Sequence, residues 1–232
     1  MATDAKLVAL VVVLFATVPA TVTIPAGQLS VQIPVTGVAA GSATLTITSL
    51  GINTVTVPIT VSAAPALTPN FAGTVGMNLQ VDNQSVSLGA NPPSSETMTI
   101  TSSSPNVLLA NLPGGPFSQS ITTTIQTNGT GASGFSVQAL ANTGTATITA
   151  SAPGYTLGTT IVTRVPSGFA WSNGSFSTTT FSAPTTLTVL LAQLNPTTLA
   201  YAGAQELRTG ATSVTVTLTS TAATVGDRKS VV

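Results

Sequence analysis

Few side chains in this 232-residue chain could perform acid–base or nucleophilic chemistry, because it contains neither histidine nor cysteine. Asp82 and Glu96, fourteen residues apart, are the only carboxylates that could form a catalytic pair. A nucleophilic serine needs a base partner, and no Gly-x-Ser-x-Gly motif is present. We therefore expect Asp82 and Glu96 to be separate solvated charges, and we expect the protein not to be an enzyme.

Metal binding and covalent crosslinking also lack the residues that they require. Calcium sites are built from clustered carboxylates, and Asp82 with its neighbour Asn83 is too small a set. A lysine–asparagine crosslink needs a lysine, and the two lysines, Lys6 and Lys229, lie near the ends of the sequence. We predict no metal site, no cofactor and no crosslink.

One group of aromatic residues could form a binding surface: Phe169, Trp171 and Phe176, of which Trp171 is the only tryptophan. Aromatic rings can stack on the apolar faces of sugars, so a carbohydrate platform is one interpretation. In the other interpretation these rings pack at a junction between structural units or in the core of the unit that follows. We expect packing, and the sequence leaves both interpretations open.

The composition excludes partners that bind through charge. Only 4% of the residues are charged and the five basic residues balance the five acidic ones, so there is no basic surface for nucleic acid. Hydrophobic residues make up 43% of the chain, which is enough to bury a core. The abundance of Val, Ile and Thr favours folded β-structure over disorder.

Apolar and hydroxyl residues alternate in many short segments, which is typical of half-buried β-strands. In "TATITA", Ala146 and Ile148 fall on one face while Thr147 and Thr149 fall on the other. The same pattern occurs in "SATLTIT" from Ser42, "TVTVPITV" from Thr54, "TMTITSS" from Thr97 and "SVTVTLTS" from Ser213. No segment shows a helical stripe with caps, so we predict almost no helix. Pro58 interrupts one of these segments and predicts an edge strand or a bulge there.

The segment "GSATLTI" at Gly41 is echoed by "GTATITA" at Gly144, 103 residues later. The similarity extends on both sides, and "TVTLTSTAATVG" from Thr215 resembles "TMTITSSSPNVL" from Thr97. A period near 100 residues is the size of one immunoglobulin-like sandwich. We predict the rear part of one repeat at 1–63, a linker at 64–73, a complete repeat at 74–165 and the front part of a third repeat at 166–226.

The two ends of the sequence have features of their own. Lys6 and the apolar run from Leu7 to Phe15 resemble a signal peptide, but the run aligns with in-repeat sequence of the second copy. We favour a truncated strand and leave a signal peptide over residues 1–20 as the alternative. The final segment "DRKSVV", residues 227–232, concentrates three of the ten charges, and we interpret it as a non-native tail.

The segments "ATVPATVTIPAGQLSVQIPVTGVAAGSATLTIT" and "TGTATITASAPGYTLGTTIVTRVPSGF" resemble bacterial Ig-like repeats, which occur in tandem in large surface or secreted proteins. The resemblance implies tandem immunoglobulin-like β-sandwiches with a structural, adhesive spacer role at the cell surface or outside the cell. It also implies that the neighbouring repeats of the same chain are partners, with a glycan or another surface protein as an outside partner. The alternative function is a carbohydrate-binding accessory region of a secreted hydrolase. No segment is long enough and apolar enough to predict a membrane span.

Overall fold

The computed structural model describes residues 5–10, 15–111 and 114–221. Every regular element in these ranges is a β-strand, so the prediction of an all-β protein is confirmed. Among the same residues there is no helix capable of spanning a bilayer. The predicted tail at 227–232, and residues 11–14 of the N-terminal apolar run, lie outside the described residues.

The first unit, residues 5–61, contains six strands: β1 (Ala5–Leu10), β2 (Ala16–Thr17), β3 (Thr21–Ile24), β4 (Thr36–Gly37), β5 (Gly41–Ser49) and β6 (Ile52–Val61). Four of them form one sheet in the order β3-β1-β5-β6, and β2 pairs with β4. Pro58 lies in β6 at the edge of the sheet, as its missing N–H group predicts. Leu45 of β5 is buried, whereas Val55 and Val57 of β6 are exposed.

The central unit, residues 65–165, contains nine strands: β7 (Leu67–Asn70), β8 (Thr74–Gly76), β9 (Leu79–Leu88), β10 (Glu96–Ser102), β11 (Val107–Ala110), β12 (Ser120–Ile125), β13 (Gly131–Ala139), β14 (Thr145–Ser151) and β15 (Gly158–Val165). One sheet has the order β12-β10-β14-β15-β8. The other has the order β11-β13-β9, and β7 pairs with part of β9. The strand order of the first unit's sheet, β3-β1-β5-β6, therefore parallels β12-β10-β14-β15.

One buried cluster joins the two sheets of the central unit. Phe135 and Val86 come from one sheet, and Met98, Ile100 and Ile148 come from the other. The sheets therefore pack face to face across a single core, which is the arrangement of a β-sandwich. Ala146 and Ile148 are fully buried while Thr147 is exposed, as the alternation in "TATITA" predicts.

The glycine that opens the repeated segment has the same role in both copies. Gly144 has a φ of +90°, and a Cβ at this position would collide with the guanidinium group of Arg164. Gly41 has a φ of +153°, and a Cβ there would collide with the ring of Phe15. Only glycine combines this backbone conformation with room for a side chain from another segment.

The third unit, residues 166–221, contains β16 (Ser167–Trp171), β17 (Val189–Leu194), β18 (Tyr201–Ala204) and β19 (Glu206–Leu207). The first three form a sheet in the order β16-β17-β18, while β19 pairs with β9 of the central unit. The strand predicted from Ser213 is wrong, because the described residues after Ala211 have no regular structure. The similar strand β10 is held between β12 and β14, and the described residues after Ser213 have no such neighbours.

Candidate functional site

The clearest functional arrangement is the junction between the central and third units. One edge of β9 is shared, because β7 pairs with Ser85–Leu88 and β19 pairs with Leu79 and Gln80. The third unit thus completes a sheet of the central unit. Ser167 adds a side-chain contact, donating from Oγ to the carbonyl oxygen of Met77 at 2.7 Å.

Gln205 joins the third unit to β8. The N–H group of Gly76 donates to Oε1 of Gln205 at 2.8 Å, and Nε2 of Gln205 donates to the carbonyl oxygen of Thr74 at 3.0 Å. Groups two residues apart on a strand point to the same side, so both bonds lie along the edge of β8 that faces away from β15. The glutamine amide therefore takes the place of a peptide group on a neighbouring strand.

Two further glutamines hold Thr209 against the central unit. The N–H group of Thr209 donates to Oε1 of Gln80 at 2.7 Å, and Nε2 of Gln138 donates to the carbonyl oxygen of Thr209 at 3.1 Å. Nε2 of Gln138 also donates to Oε1 of Gln80 at 3.2 Å. Gln80 and Gln138 are both buried. Buried amides are stabilising only when they are paired, so the position of Thr209 is strongly constrained.

Asp82 determines which way the Gln80 amide faces. Nε2 of Gln80 lies 3.2 Å from each carboxylate oxygen of Asp82. An ionised carboxylate can only accept hydrogen bonds, so the NH₂ group of Gln80 must be the end that faces Asp82. Oε1 of Gln80 is then free to accept from Thr209 and Gln138.

Arg208 adds one more connection at the same junction. Its backbone N–H group donates to the carbonyl oxygen of Asn78 at 3.0 Å, and its Nε donates to Oδ1 of Asn78 at 3.2 Å. We name Gln80, Gln138 and Gln205, together with their partners described above, the glutamine junction.

The connection between the first and central units is different. The chain passes through Ser62–Pro65, and the next hydrogen bonds belong to the central unit: Thr156 N–H donates to Pro65 O at 2.8 Å and Gly89 N–H donates to Ala66 O at 2.8 Å. Within the described ranges, no strand pairing crosses from residues up to 61 to the central unit.

Asp82 and Glu96, the carboxylates considered for catalysis, lie on strands of opposite sheets. Glu96 accepts a hydrogen bond from Ser94 Oγ at 3.0 Å, while Asp82 bonds to Gln80. Their described partners are structural groups, and the two carboxylates do not bond to each other. In the described part of the chain, acidic residues form no group that could hold a metal ion.

The three aromatic residues lie at the other end of β16 from the glutamine junction. Phe169 and Trp171 are on the same face of β16, with 49% and 54% of their surface exposed. Phe176 follows in the loop and is 50% exposed. Trp171 and Phe176 line a depression of about 380 Å³.

No protein-family model matches the chain. No curated protein matches it either. Among solved structures, it is similar to domains 4 and 5 of the S-layer protein SbsC, with 21% identity, 56% of this chain and 69% of that chain covered, and a TM-score of 0.28. It is also similar to a beta-glycosidase from Bacteroides vulgatus, with 13% identity, 69% of this chain and 21% of that chain covered, and a TM-score of 0.29. Likenesses at these TM-scores establish neither a shared fold nor a function.

The glutamine junction was not among the predicted sites. Glutamine carries no periodic signal of its own. Gln80 and Gln138 alternate with Val81 and Val137 of the core side, so alternation places both glutamines on the outer face of their sheet, where a polar residue is expected. The pattern of these strands therefore gives no signal that the third unit buries the two glutamines. Their partner, Thr209, lies about 70 residues from Gln138 and more than 120 from Gln80.

Proposed function

We propose that this chain is a non-catalytic structural and adhesive module of a bacterial cell-surface or secreted protein, built from tandem Ig-like β-sandwich units. The repeated sequence and the parallel strand orders of the first and central units support the tandem organisation. In this proposal each unit holds the next at a set distance, and the partners are the neighbouring repeats of the same chain.

The glutamine junction is the observation that carries the spacer role. Strand pairing by β19, the paired amides of Gln80 and Gln138, and the Gln205 contact with β8 all fix the third unit to the central one. A spacer must resist bending where its units meet, and several hydrogen bonds that are buried or partly buried on different strands would provide that resistance.

The engagement of the two carboxylates supports a role without catalysis. General acid–base catalysis needs a titratable group within reach of a substrate. Asp82 instead orients an amide at the junction, and Glu96 accepts from Ser94 at the start of its own strand. The low charge of the chain suits a rod whose surface is made of hydroxyl and amide groups.

A distance measurement tests the spacer role directly. Because the chain contains no cysteine, pairs of introduced cysteines can carry spin labels at defined positions. Thr97 and Ala202 are exposed strand residues of the central and third units, and Thr54 is an exposed residue of the first unit. We expect a narrow distance distribution for Thr97→Cys with Ala202→Cys.

The pair Thr54→Cys with Thr97→Cys is the matched comparison, and we expect it to give a broad distribution. A broad distribution for the central–third pair would contradict the spacer proposal. A label pair within the central unit, Thr97→Cys with Thr147→Cys, gives the width expected of a rigid body.

A further inference from the structure

The third unit presents an unusual combination of groups in the depression beside Trp171. The lining consists of Trp171, Asn173, Gly174, Ser175, Phe176 and Leu187. Two aromatic rings and an aliphatic side chain are thus combined with an amide and a hydroxyl, and none of the lining residues is ionisable. Binding pockets for small ligands have this composition, and their volumes begin near 300 Å³.

Asn173 is held in place by the strand next to the depression. Its Oδ1 accepts from the N–H group of Thr188 at 2.9 Å and from Oγ of Ser172 at 3.2 Å. These bonds use the acceptor end of the amide, and its NH₂ group makes no hydrogen bond within the described part of the chain. A fixed amide donor next to exposed rings is a pre-organised polar contact for a ligand.

The exposed rings supply the apolar part of the same surface. Trp171 has 54% of its surface exposed on an edge strand, where β17 is its only described neighbour in the sheet. Large aromatic side chains that stay exposed beside fixed polar groups indicate a binding surface. A sugar ring matches these features, because it presents C–H groups on its faces and hydroxyls at its rim.

We propose that the depression lined by Trp171, Asn173 and Phe176 is a binding subsite for a neutral polysaccharide. The indole stacks on a pyranose ring, and the Asn173 amide donates to a sugar hydroxyl. The ligand is neutral because the lining holds no charge to pair with a carboxylate or an amino group. The subsite goes beyond the spacer role and does not depend on it.

Trp171 provides its own test, because it is the only tryptophan in the chain. We would titrate the full chain with cellohexaose, chitohexaose, maltohexaose and xylohexaose while recording fluorescence emission and quenching by acrylamide. We expect a saturable emission change and reduced quenching with at least one of these neutral oligosaccharides. Retention on insoluble cellulose, chitin, starch or xylan should follow the same preference.

Variants separate the subsite from unspecific adsorption. Trp171→Ala should lower retention on the preferred polysaccharide at least tenfold, while Trp171→Phe should keep part of it. Phe181→Ala is the matched control, because Phe181 lies in the same loop, is 97% exposed and does not line the depression. It should bind as the unaltered chain does.

Three outcomes would overturn the proposal. The first is that no neutral polysaccharide protects Trp171 or retains the unaltered chain. The second is equal loss of binding in Trp171→Ala and Phe181→Ala. The third is a blue shift that depends on protein concentration without sugar, which would mean that a second copy covers the rings. If Trp171→Ala fails to fold, the proposal is tested by the unaltered chain alone: a neutral oligosaccharide must protect Trp171 from acrylamide quenching.

Discussion

The two connections between units differ in kind. Between the central and third units, β19 pairs with β9 and so extends a sheet of the central unit. Three glutamines also take part in hydrogen bonds that cross this boundary. Between the first and central units, the described residues form no strand pairing, and the chain passes through Ser62–Pro65. One boundary is therefore a packed interface, whereas the other is a tether.

The third unit docks on a particular set of strands of the central unit. The third unit binds to β8, to the start of β9 and to Gln138 near the end of β13. The described residues of the first unit include counterparts of β10 to β15 but none of β8 or β9.

The largest effect on stability is expected from removing β7. This removal tests whether the central unit begins before residue 74. Leu67 is 3% exposed and belongs to the central core, although the stretch 64–73 has the composition of a linker. A fragment of residues 74–165 should be less stable than one of residues 65–165 by more than about 3 kcal/mol, because it lacks Leu67 and a partner for β9. Urea unfolding followed by circular dichroism measures the difference. Equal stability of the two fragments would mean that residues 65–73 belong to the linker and not to the central unit.

Gln80→Ala should produce the next largest effect, at the packed boundary. It leaves Thr209 N–H without its acceptor and removes one of the two acceptors of the Gln138 amide, which costs about 2–3 kcal/mol of docking free energy. Hydrogen exchange should show faster exchange in β17 and β18, with smaller changes in β14. Gln126→Ala is the matched control, since Gln126 is exposed in a turn of the central unit. Unchanged exchange in Gln80→Ala would show that the amides do not hold the boundary.

Insertion of Gly-Ser-Gly-Ser compares the two boundaries with the same change. After Val165 it lengthens the entry to the third unit and separates Ser167 from Met77, so we expect a loss of about 1 kcal/mol in docking. After Ala63 it only lengthens a tether, and stability should stay within about 0.5 kcal/mol. Thermal unfolding with separate probes in each unit would measure both. Equal losses of stability at the two positions would contradict the view that one boundary is packed and the other is a tether.

Asp82→Asn should have the smallest effect. Oδ1 of asparagine can still accept from Gln80, but the bond loses its charge and the amide loses a fixed orientation. We expect a loss below about 1 kcal/mol, because Asp82 is only partly buried. A double-mutant cycle with Gln80→Ala should give a non-additive result. Strict additivity would show that Asp82 acts independently of Gln80.

Alternation in the sequence was sufficient to predict two strands of the central sandwich. It identified β10 and β14, and it placed Ala146 and Ile148 in the core, because a period of two determines which face is buried. The same signal failed at Ser213, where the alternation is present but the described chain forms no strand. A strand needs neighbours for its backbone groups, and alternation does not report whether they are there.

The junction itself could not be predicted from the sequence. β7 has four residues and contains Pro69, so it carries no alternation that would separate it from a linker. Gln205 meets Thr74 only because the chain returns to the central unit after passing through β16, β17 and β18. The aromatic residues were easier to identify, because a single tryptophan with two nearby phenylalanines is visible in any reading of the sequence.

The shared edge of β9 has a consequence for how the protein carries a mechanical load. A pull on the chain beyond residue 221 first reaches the hydrogen bonds of Thr209 and Arg208 and then β19, where only Glu206 and Leu207 pair with β9. Under tension this short pairing should separate first, while the longer pairing of β9 with β13 still holds. Unfolding of residues 166–209 would then release roughly 150 Å of extended chain. The junction that stiffens the protein at rest would yield first under force and protect the central sandwich.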